Sequence, residues 1–486
     1  MSTIPFYKLF FICRITAVVA GTLVCTSLLA SEYTPPGLYD VEYYQLPNQM
    51  RVLLKERHQA RSVSYRVVVN IGSADFPCGR QETTHFMEHL LFTGTSKHGE
   101  SELDDLIEGH GGSWNAAAGI DKTYYELDIF SKYSGLGLET LHEILTDSEI
   151  TQEDVDNSRD IIHREAGGRP SFFKNWVAEQ GLEKAGSDYA HDRLLEGTPY
   201  VCQGLEDADD ISRTDILEAY HRYYVPNNIT LIVVGDFDSD GMKNSIESTF
   251  GKMKAGKTYH RQLISAETNT TASLLTSTLL PLVGDEAVVG VAYASGGSQS
   301  ADYYPRGFIE SYLADRLYKK IRIEEGLSYS ATAYTVSYPH MGVWYAYADT
   351  DLDAIDEVAR LIQNEIDLLV QQPINEEQLS LTKDKLLMSI VQGYESNAGI
   401  AEYYTASLHE LEKSGELVRM EDEISSLTAA DIQQVAAGIF EKTPAIVFHN
   451  KPTMTYTQLA IGLGMFGLIL VIFVARRVIR YRQNRN

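Results

Sequence analysis

The stretch that decides the fold is DILEAYHRYYVPNNITLIVVGD, Asp215 to Asp236, because its pattern occurs a second time in the chain. It predicts a helix, a short turn and a β-branched strand, and DIQQVAAGIFEKTPAIVFHN, Asp431 to Asn450, predicts the same elements at matching offsets. Upstream, SYRVVVNIGSAD and EAVVGVAYASGG form a second matching pair, each ahead of a predicted helix. Such internal similarity indicates two domains of one fold.

Both halves combine alternating apolar strands with long amphipathic helices. MRVLLKE and HMGVWYAYA are typical of half-buried strands, whereas DAIDEVARLIQNEIDLLVQQ has the apolar spacing of a helix with one buried face. We therefore predict an α+β fold of two similar tandem domains, each a mainly antiparallel sheet with helices packed on one face. A C-terminal transmembrane helix completes this prediction.

The two ends of the chain differ from the rest. Two basic residues precede an uncharged run from Ile15 to Ala30, which is typical of a secretory signal cleaved near Ala30; an uncleaved anchor is the alternative. Pro452 to Ala475 carry no charge, and a helix of that length spans about 36 Å, enough for a bilayer core of about 30 Å. Arginines follow at once, so the positive-inside rule places the tail in the cytoplasm and the body outside it.

The charge is strongly negative, with 67 acidic against 41 basic residues and a formal net charge of -26. Lys8, Arg14 and the five arginines of the tail belong to the basic set, and neither end holds an acid, so the body alone carries -33. Such a surface disfavours nucleic acid and anionic lipid as partners. It would favour cationic peptides, although a solvated acidic face kept for solubility is the commoner explanation.

Cys78 and Cys202 are the two cysteines outside the predicted signal. In an oxidising compartment they could form a disulfide. Two free or separately buried thiols are about as compatible with the sequence, which leaves both alternatives open.

A polar cluster interrupts the apolar helix predicted in RQETTHFMEHLLFTGT, Arg80 to Thr95. His85 and His89 are four residues apart and therefore project from nearly one helix face, where both imidazoles can reach one metal ion. Glu88 lies one turn beyond His85, where its carboxylate can hold a water beside that ion. The alternative, a core helix with a polar edge, leaves the cost of burying three polar groups unexplained.

A third protein ligand is needed, and a carboxylate would leave the fourth position of a tetrahedral zinc open for water. The predicted helix TQEDVDNSRDIIHREAGG offers Glu165, 76 residues after His89. The corresponding helix of the second half, RGFIESYLADRLYKKI, has no such triplet. We therefore predict one Zn²⁺ per chain, held in the first half.

His85-x-x-Glu88-His89 with Glu165 downstream resembles the inverted zinc peptidases of the pitrilysin and insulinase type, family M16. The resemblance covers the chain from about residue 39 to residue 450, and GSADFPCGRQETTHFMEHLLFTGT is similar to the family's catalytic strand, loop and helix. It implies that His85, His89 and Glu165 hold zinc. It also implies that Glu88 is the catalytic residue, which takes a proton from water and gives one to the leaving amine.

The same resemblance implies substrate-binding residues in both halves. GGSWNAAAGIDKTYYE is similar to the family's Asn-Ala segment, so Asn115 and Ala116 would pair with an extended substrate as an added strand. IRIEEGLSYSATAY is similar to the segment in which an arginine and a tyrosine hold substrate carbonyls near the zinc, here Arg322 and Tyr329.

In the first half the sequence departs from the family pattern in two segments. Glu82 and two threonines precede His85, where the family usually has small or apolar residues. Ser158 stands where the family often carries a glutamate seven residues before the third ligand, a carboxylate of the kind that orients metal ligands.

These patterns predict a zinc metallopeptidase, an endopeptidase that hydrolyses peptides or unfolded polypeptides on the extracytoplasmic side of a membrane. The alternative is a non-catalytic partner or scaffold subunit of a membrane-bound processing complex, because the family includes members that keep the fold without the metal ligands. Family chambers generally contain four such domains, which implies a homodimer or a heterodimer with a related subunit. The favoured location is a bacterial inner membrane with the body in the periplasm, and a secretory-pathway membrane is the alternative.

The predicted organisation has six segments, and the polar stretch KAGKTYHRQLISAETNTTAS is assigned to the linker between the domains. The segments are a signal peptide (1–30), a zinc-binding catalytic domain (31–253), the linker (254–273), a substrate-binding domain (274–451), the transmembrane helix (452–475) and a basic cytoplasmic tail (476–486).

Overall fold

The computed structural model describes residues 37–169, 171–179, 184, 186–202, 208–259, 273–276, 281–441 and 445–484. The predicted signal peptide and most of the predicted linker lie outside the described residues. Both sheets belong to the compact unit Val41–Asn486.

The first half of this unit supplies one sheet and the helices that flank it. Its strands in the described part of the chain are β1 (Glu42–Gln45), β2 (Arg51–Glu56), β3 (Ser62–Val69), β4 (Ser113–Ala118), β5 (Thr123–Phe130) and β6 (Ile229–Gly235). Its helices are α1 (Thr83–Leu90), α2 (Glu100–Ile107), α3 (Ser134–Thr146), α4 (Gln152–Glu165), α5 (Phe172–Glu179), α6 (Gly186–Leu194), α7 (Arg213–Tyr223) and α8 (Ser239–Ser248).

Among the described residues, the second half repeats this plan with fewer strands. Its strands are β7 (Ser273–Thr276), β8 (Glu286–Ser295), β9 (Ala331–Ser337), β10 (Gly342–Asp351) and β11 (Ile446–Asn450). Its helices are α9 (Tyr303–Leu317), continued by a π-helix (Tyr318–Glu324), α10 (Ile355–Gln371), α11 (Glu376–Gly393), α12 (Asn397–Ala406), α13 (Leu408–Ser414), α14 (Met420–Ser426), α15 (Ala429–Phe440) and the terminal α16 (Tyr456–Gln483).

Both sheets are mainly antiparallel, as predicted. The first has the order β1-β2-β6-β3-β5-β4 and the second β7-β11-β8-β10-β9. Among the strands that the structure describes, one pair in each sheet is parallel, β2 with β6 and β7 with β11. Strand β4 lies at an edge of the first sheet and pairs with β5 alone, which leaves its outer side without a strand neighbour in the described residues.

The repeat found in the sequence corresponds to equivalent elements of the two halves, α7 with β6 and α15 with β11. Each helix begins with a capping box, formed by Ser212 with Asp215 in α7 and by Thr428 with Asp431 in α15. The aspartate that opens each quoted repeat is therefore the residue that satisfies the backbone amide of the helix cap. The predicted α+β fold of two similar domains is confirmed.

Each sheet has helices on one face, as predicted, and in addition a helix from the other half covers its opposite face. Helix α12 of the second half packs on β3 and β6, and α6 of the first half packs on β8 and β11. Leu194 of α6 shares an apolar cluster with Phe448 of β11. Asn397 of α12 donates a hydrogen bond from Nδ2 to the carbonyl oxygen of Ser62 (2.8 Å). The central strands are consequently buried on both faces.

A disulfide joins Cys78 and Cys202, whose Cα atoms lie 5.4 Å apart. Close by, Gln81 donates a hydrogen bond from Nε2 to the carbonyl oxygen of Pro199 (2.9 Å). These two links tie the segment that enters α1 to the segment that leaves α6. The start of α1 is therefore fixed to a part of the chain that also packs beneath the second sheet.

The terminal helix α16 begins at Tyr456, because Thr455 caps it through a box with Gln458. The residues just before it pair with the second half instead, where Thr453 donates to the carbonyl oxygen of Pro281 (3.0 Å). Helix α16 then continues through the arginines to Gln483. By length and composition it could cross a membrane, and none of its most apolar part is buried in the protein.

The packing of α6 on the second sheet predicts a large cost for shortening Leu194, which is 2% exposed. We expect Leu194→Ala to lower the free energy of unfolding by about 2–5 kcal/mol through lost burial and the cavity left behind. Leu381→Ala, at a leucine that is 61% exposed, is the matched control and should change it by no more than about 0.5 kcal/mol. Denaturant unfolding of the full chain in detergent measures both, and equal effects would contradict the packing described here.

Candidate metal centre

Helix α1 is held in place by its apolar face. Phe86, Met87 and Leu90 are fully buried in the core of the first half. Because the apolar residues occupy this face, His85 and His89 lie on the opposite, half-buried side of the helix. Helix α1 packs against α4, the helix that ends at Glu165. The local sequence pattern therefore turns the two imidazoles toward the end of α4.

Three donor atoms from these helices converge on one point. His85 Nε2 lies 3.0 Å and His89 Nε2 3.6 Å from Glu165 Oε2, and the two Nε2 atoms are 3.2 Å apart. A tetrahedral zinc with bonds of about 2.0–2.1 Å requires donors about 3.3 Å apart. The observed separations bracket that value, and two nitrogens with one carboxylate are a donor set that zinc prefers. Across the described residues, this is the one group of at least three His, Cys, Asp or Glu side chains whose donor atoms lie close enough together to share a metal ion.

Glu88 lies next to this cluster and also contacts the edge strand β4. Its Oε2 accepts a hydrogen bond from the backbone N–H of Ala118 (3.1 Å). This bond fixes the carboxylate between α1 and the last residue of β4. Glu88 is half-buried, which leaves it accessible to water.

Glu82 contacts His85 from the side away from the converging donors. Its Oε2 lies 2.8 Å from His85 Nδ1. The hydrogen bond with Glu82 and the negative charges of Glu82, Glu88 and Glu165 raise the pKa of His85, although partial burial acts in the opposite direction. In the sequence Glu82 stands out only as a departure from the family pattern, although its spacing of three residues from His85 places the two side chains on one helix face.

The predicted substrate residues Asn115 and Ala116 lie in β4, with Asn115 exposed and Ala116 buried. The hydrogen bonds of their neighbours show which backbone groups point outward. Gly119 N–H donates toward β5, to the carbonyl oxygen of Lys122 (2.8 Å), whereas Ala118 N–H donates to Glu88. Because backbone groups alternate in an antiparallel strand, the N–H of Ala116 points to the free edge like that of Ala118.

The structure also brings the predicted pair Arg322 and Tyr329 together. Arg322 donates a hydrogen bond to the carbonyl oxygen of Tyr329 (2.7 Å), and its guanidinium lies 4.2 Å from the centre of the Tyr329 ring. Tyr329 is 73% exposed. Within the described part of the chain, none of the observed hydrogen bonds or ion pairs joins this pair to α1 or β4, so the pair is a separate exposed feature of the second half.

Two family models match the chain. The model described as Insulinase (Peptidase family M16) matches residues 51–186, and that described as Peptidase M16 inactive domain matches residues 210–386. The first includes the His85 helix and Glu165. The second covers most of the half that has no matching histidine pair in α9.

Other proteins are similar to this chain in sequence over most of its length. An uncharacterised zinc protease of Streptomyces coelicolor is 23% identical over 84% of this chain and 89% of its own length. The beta subunit of the mitochondrial-processing peptidase of Blastocladiella emersonii is 23% identical over 86% of this chain and 91% of its own length.

Solved structures show the same architecture. A protease from Helicobacter pylori superposes with a TM-score of 0.72 at 18% identity, covering 85% of this chain and all (100%) of that chain. The periplasmic protease PqqL from Escherichia coli gives a TM-score of 0.67 at 18% identity, covering 87% of this chain and 48% of that chain. With matching models in both halves and zinc proteases among its relatives, the chain belongs to peptidase family M16.

Proposed function

We propose that the protein is a zinc-dependent metalloendopeptidase that hydrolyses peptides or unfolded polypeptides on the extracytoplasmic side of a membrane. The observation that carries this proposal is the convergence of donor atoms from His85, His89 and Glu165 within 3.0–3.6 Å of one another. A zinc ion bound by these residues would polarise a peptide carbonyl and make water more acidic. Relatives named as zinc proteases support the proposal.

Glu88 is the general base in this proposal. It lies on the same helix as both histidines, and the hydrogen bond from Ala118 N–H holds one of its oxygens in place. Its other oxygen can accept a proton from the attacking water and then deliver a proton to the leaving amine. A carboxylate is suited to this transfer because it can hold the proton between the two steps.

The free edge of β4 would bind the substrate backbone. An extended peptide can add to this edge and pair with the outward N–H and C=O of Ala116, a mode that depends little on side-chain sequence. Because the N–H of Ala118 is already used by Glu88, the added ladder ends at that residue. The substrate backbone would then pass directly beside Glu88. Arg322 and Tyr329 of the second half would hold substrate carbonyls, with the exposed Asn115 as a further contact.

We propose that two chains of this kind assemble, as a homodimer or with a related M16 subunit. Two observations on other proteins support this. The chain matches 48% of the length of the Escherichia coli protease, so two copies correspond to its full length. Two relatives are named as the beta subunit of a mitochondrial-processing peptidase, and a protein named as a subunit has a partner subunit.

The proposed organisation keeps the six predicted segments, with the helix now taken from Tyr456. Helix α16 would anchor the protein, and its arginines would face the cytoplasm. The zinc-binding body would then lie on the opposite side, which in a bacterium with two membranes is the periplasm. Cys78 and Cys202 form a disulfide, and an oxidising compartment of that kind permits it.

A non-catalytic subunit is the second candidate, and the description of the C-terminal family model as an inactive domain is the observation in its favour. That match begins at residue 210, beyond all four residues of the proposed catalytic site. The complete ligand set in the first half favours the enzyme. Loss of catalysis by replacement of Glu88 separates the two candidates.

Zinc binding predicts a gain in stability. At a free zinc concentration about 100 times the dissociation constant, mass action adds about 2.7 kcal/mol to the folded state. We expect zinc to raise the thermal midpoint of the wild type but not of His89→Ala, which lacks one ligand. His110→Ala removes a histidine outside the site and should respond like the wild type. An equal response of the wild type and His89→Ala would show that zinc binds elsewhere.

Replacement of Glu88 tests catalysis separately from metal binding. We expect Glu88→Gln to retain zinc and to lower the rate of peptide hydrolysis by about 10²–10⁴-fold, because the amide cannot accept the proton. Glu139→Gln, at an exposed glutamate of α3, is the charge-matched control and should leave the rate unchanged. The rate is measured on a mixture of peptides by mass spectrometry. A zinc-loaded wild type that cleaves nothing, alone or with a related subunit, would favour the scaffold.

Strand addition at β4 predicts a selective effect of Ala116→Pro. Proline removes the outward N–H of residue 116, and a missing donor on the free side of an edge strand leaves the ladder with β5 intact. We expect KM to rise by about tenfold, the equivalent of one hydrogen bond of about 1.4 kcal/mol, with zinc content unchanged. Steady-state kinetics on one cleaved peptide gives the result. An unchanged KM in a folded variant would rule out pairing through this N–H.

A further inference from the structure

We infer that Glu82 is a positioning residue that holds His85 in the orientation and tautomer required for metal binding. This inference rests on the zinc-binding function proposed above. The observation behind it is the 2.8 Å contact between Glu82 Oε2 and His85 Nδ1, on the opposite side of the imidazole from Nε2. Nε2 is the nitrogen that lies 3.0 Å from Glu165 Oε2.

A side chain at the N-cap of a helix usually accepts a hydrogen bond from a backbone N–H of the first turn. Glu82 is the N-cap residue of α1, but its carboxylate makes no capping hydrogen bond. The threonines that follow turn back on the preceding loop, where Thr83 Oγ1 donates to the carbonyl oxygen of Arg80 (2.6 Å) and Thr84 Oγ1 to that of Gln81 (3.2 Å). The carboxylate of Glu82 is directed to His85 instead.

This contact determines where the proton of a neutral His85 lies. A carboxylate can only accept, so Nδ1 must carry the hydrogen. The lone pair is then on Nε2, the atom that faces Glu165 and His89. A carboxylate behind a metal-bound histidine fixes the ring and makes it a better donor, typically by 10–100-fold in metal affinity. Glu82 therefore preorganises the ligand before the metal arrives.

The two histidines differ in the contact made by Nδ1. Among the described residues, none of the observed hydrogen bonds joins a carboxylate to Nδ1 of His89. With two neutral imidazoles and one carboxylate, a Zn²⁺ site would keep a net charge of +1, and Glu82 would place a compensating negative charge behind His85. The side chains of His85 and Glu82 are 28% and 29% exposed, so this charge is only partly screened by water.

The test measures zinc affinity, by competition with a chelator, in the full chain in detergent. We expect Glu82→Ala to weaken zinc binding by about 10–100-fold. Glu82→Gln should lie between this variant and the wild type, since its amide oxygen still accepts from Nδ1–H but carries no charge. Glu139→Gln, the charge-matched control, should bind like the wild type. The thermal midpoint of the metal-free protein should be the same in all four forms.

Three results would overturn the inference, and they differ in whether the proposed zinc-binding function survives. Zinc binding by Glu82→Ala within twofold of the wild type would exclude a role of Glu82 at the site while leaving the proposed function intact. A fall in metal-free stability that accounts for the lost affinity, with glutamine no better than alanine, would assign Glu82 a purely structural role. A wild type that binds no zinc through His85 would overturn the proposed function together with this inference.

Discussion

The rest of the site depends on the burial of one face of helix α1. Phe86, Met87 and Leu90 anchor the helix in the core, and this fixes the direction of the opposite face. His85 and His89 can meet the end of α4 only because the helix cannot rotate without exposing these apolar side chains. The polar cluster that appeared costly to bury in the sequence is half-buried in the structure, and the apolar face bears the packing.

Helix α1 also links the proposed catalytic residue Glu88 to the edge strand β4. It packs on β4 as well as on α4, and the bond from Ala118 N–H to Glu88 joins the edge strand to the proposed base. A peptide that added to β4, as proposed, would therefore lie beside Glu88 as well. The Cys78–Cys202 disulfide fixes the entry to α1. Helices α6 and α12, each packed on the sheet of the other half, hold the two halves together.

Much of this was predictable from the sequence because it depends on short-range spacing. The four-residue separation of His85 and His89 places both on one helix face, and the aspartates that complete the capping boxes of α7 and α15 open the two quoted repeats. The free edge of β4 was implied by the family resemblance and not by the periodicity of the residues, and the packing of α6 and α12 on the sheets of the opposite halves was not predicted. Hydrophobic periodicity shows that a face is buried but not which surface covers it. The Glu82 contact was visible as a three-residue spacing, but its meaning required the direction of the His85 ring.

The first residue of helix α16 could not be predicted from hydropathy either. An uncharged run marks the apolar segment but not where a helix begins, and Thr455 with Gln458 sets that point at Tyr456. Hydropathy thus predicts that a membrane helix exists, while capping chemistry decides its first residue.

The central claim is that His85, His89 and Glu165 share one zinc ion. Anomalous diffraction at the zinc edge from crystals of the zinc-loaded protein tests it most directly. We expect one peak per chain, with bonds of about 2.0–2.2 Å to His85 Nε2, His89 Nε2 and a carboxylate oxygen of Glu165. A zinc peak bound by other residues, or none at this position, would contradict it.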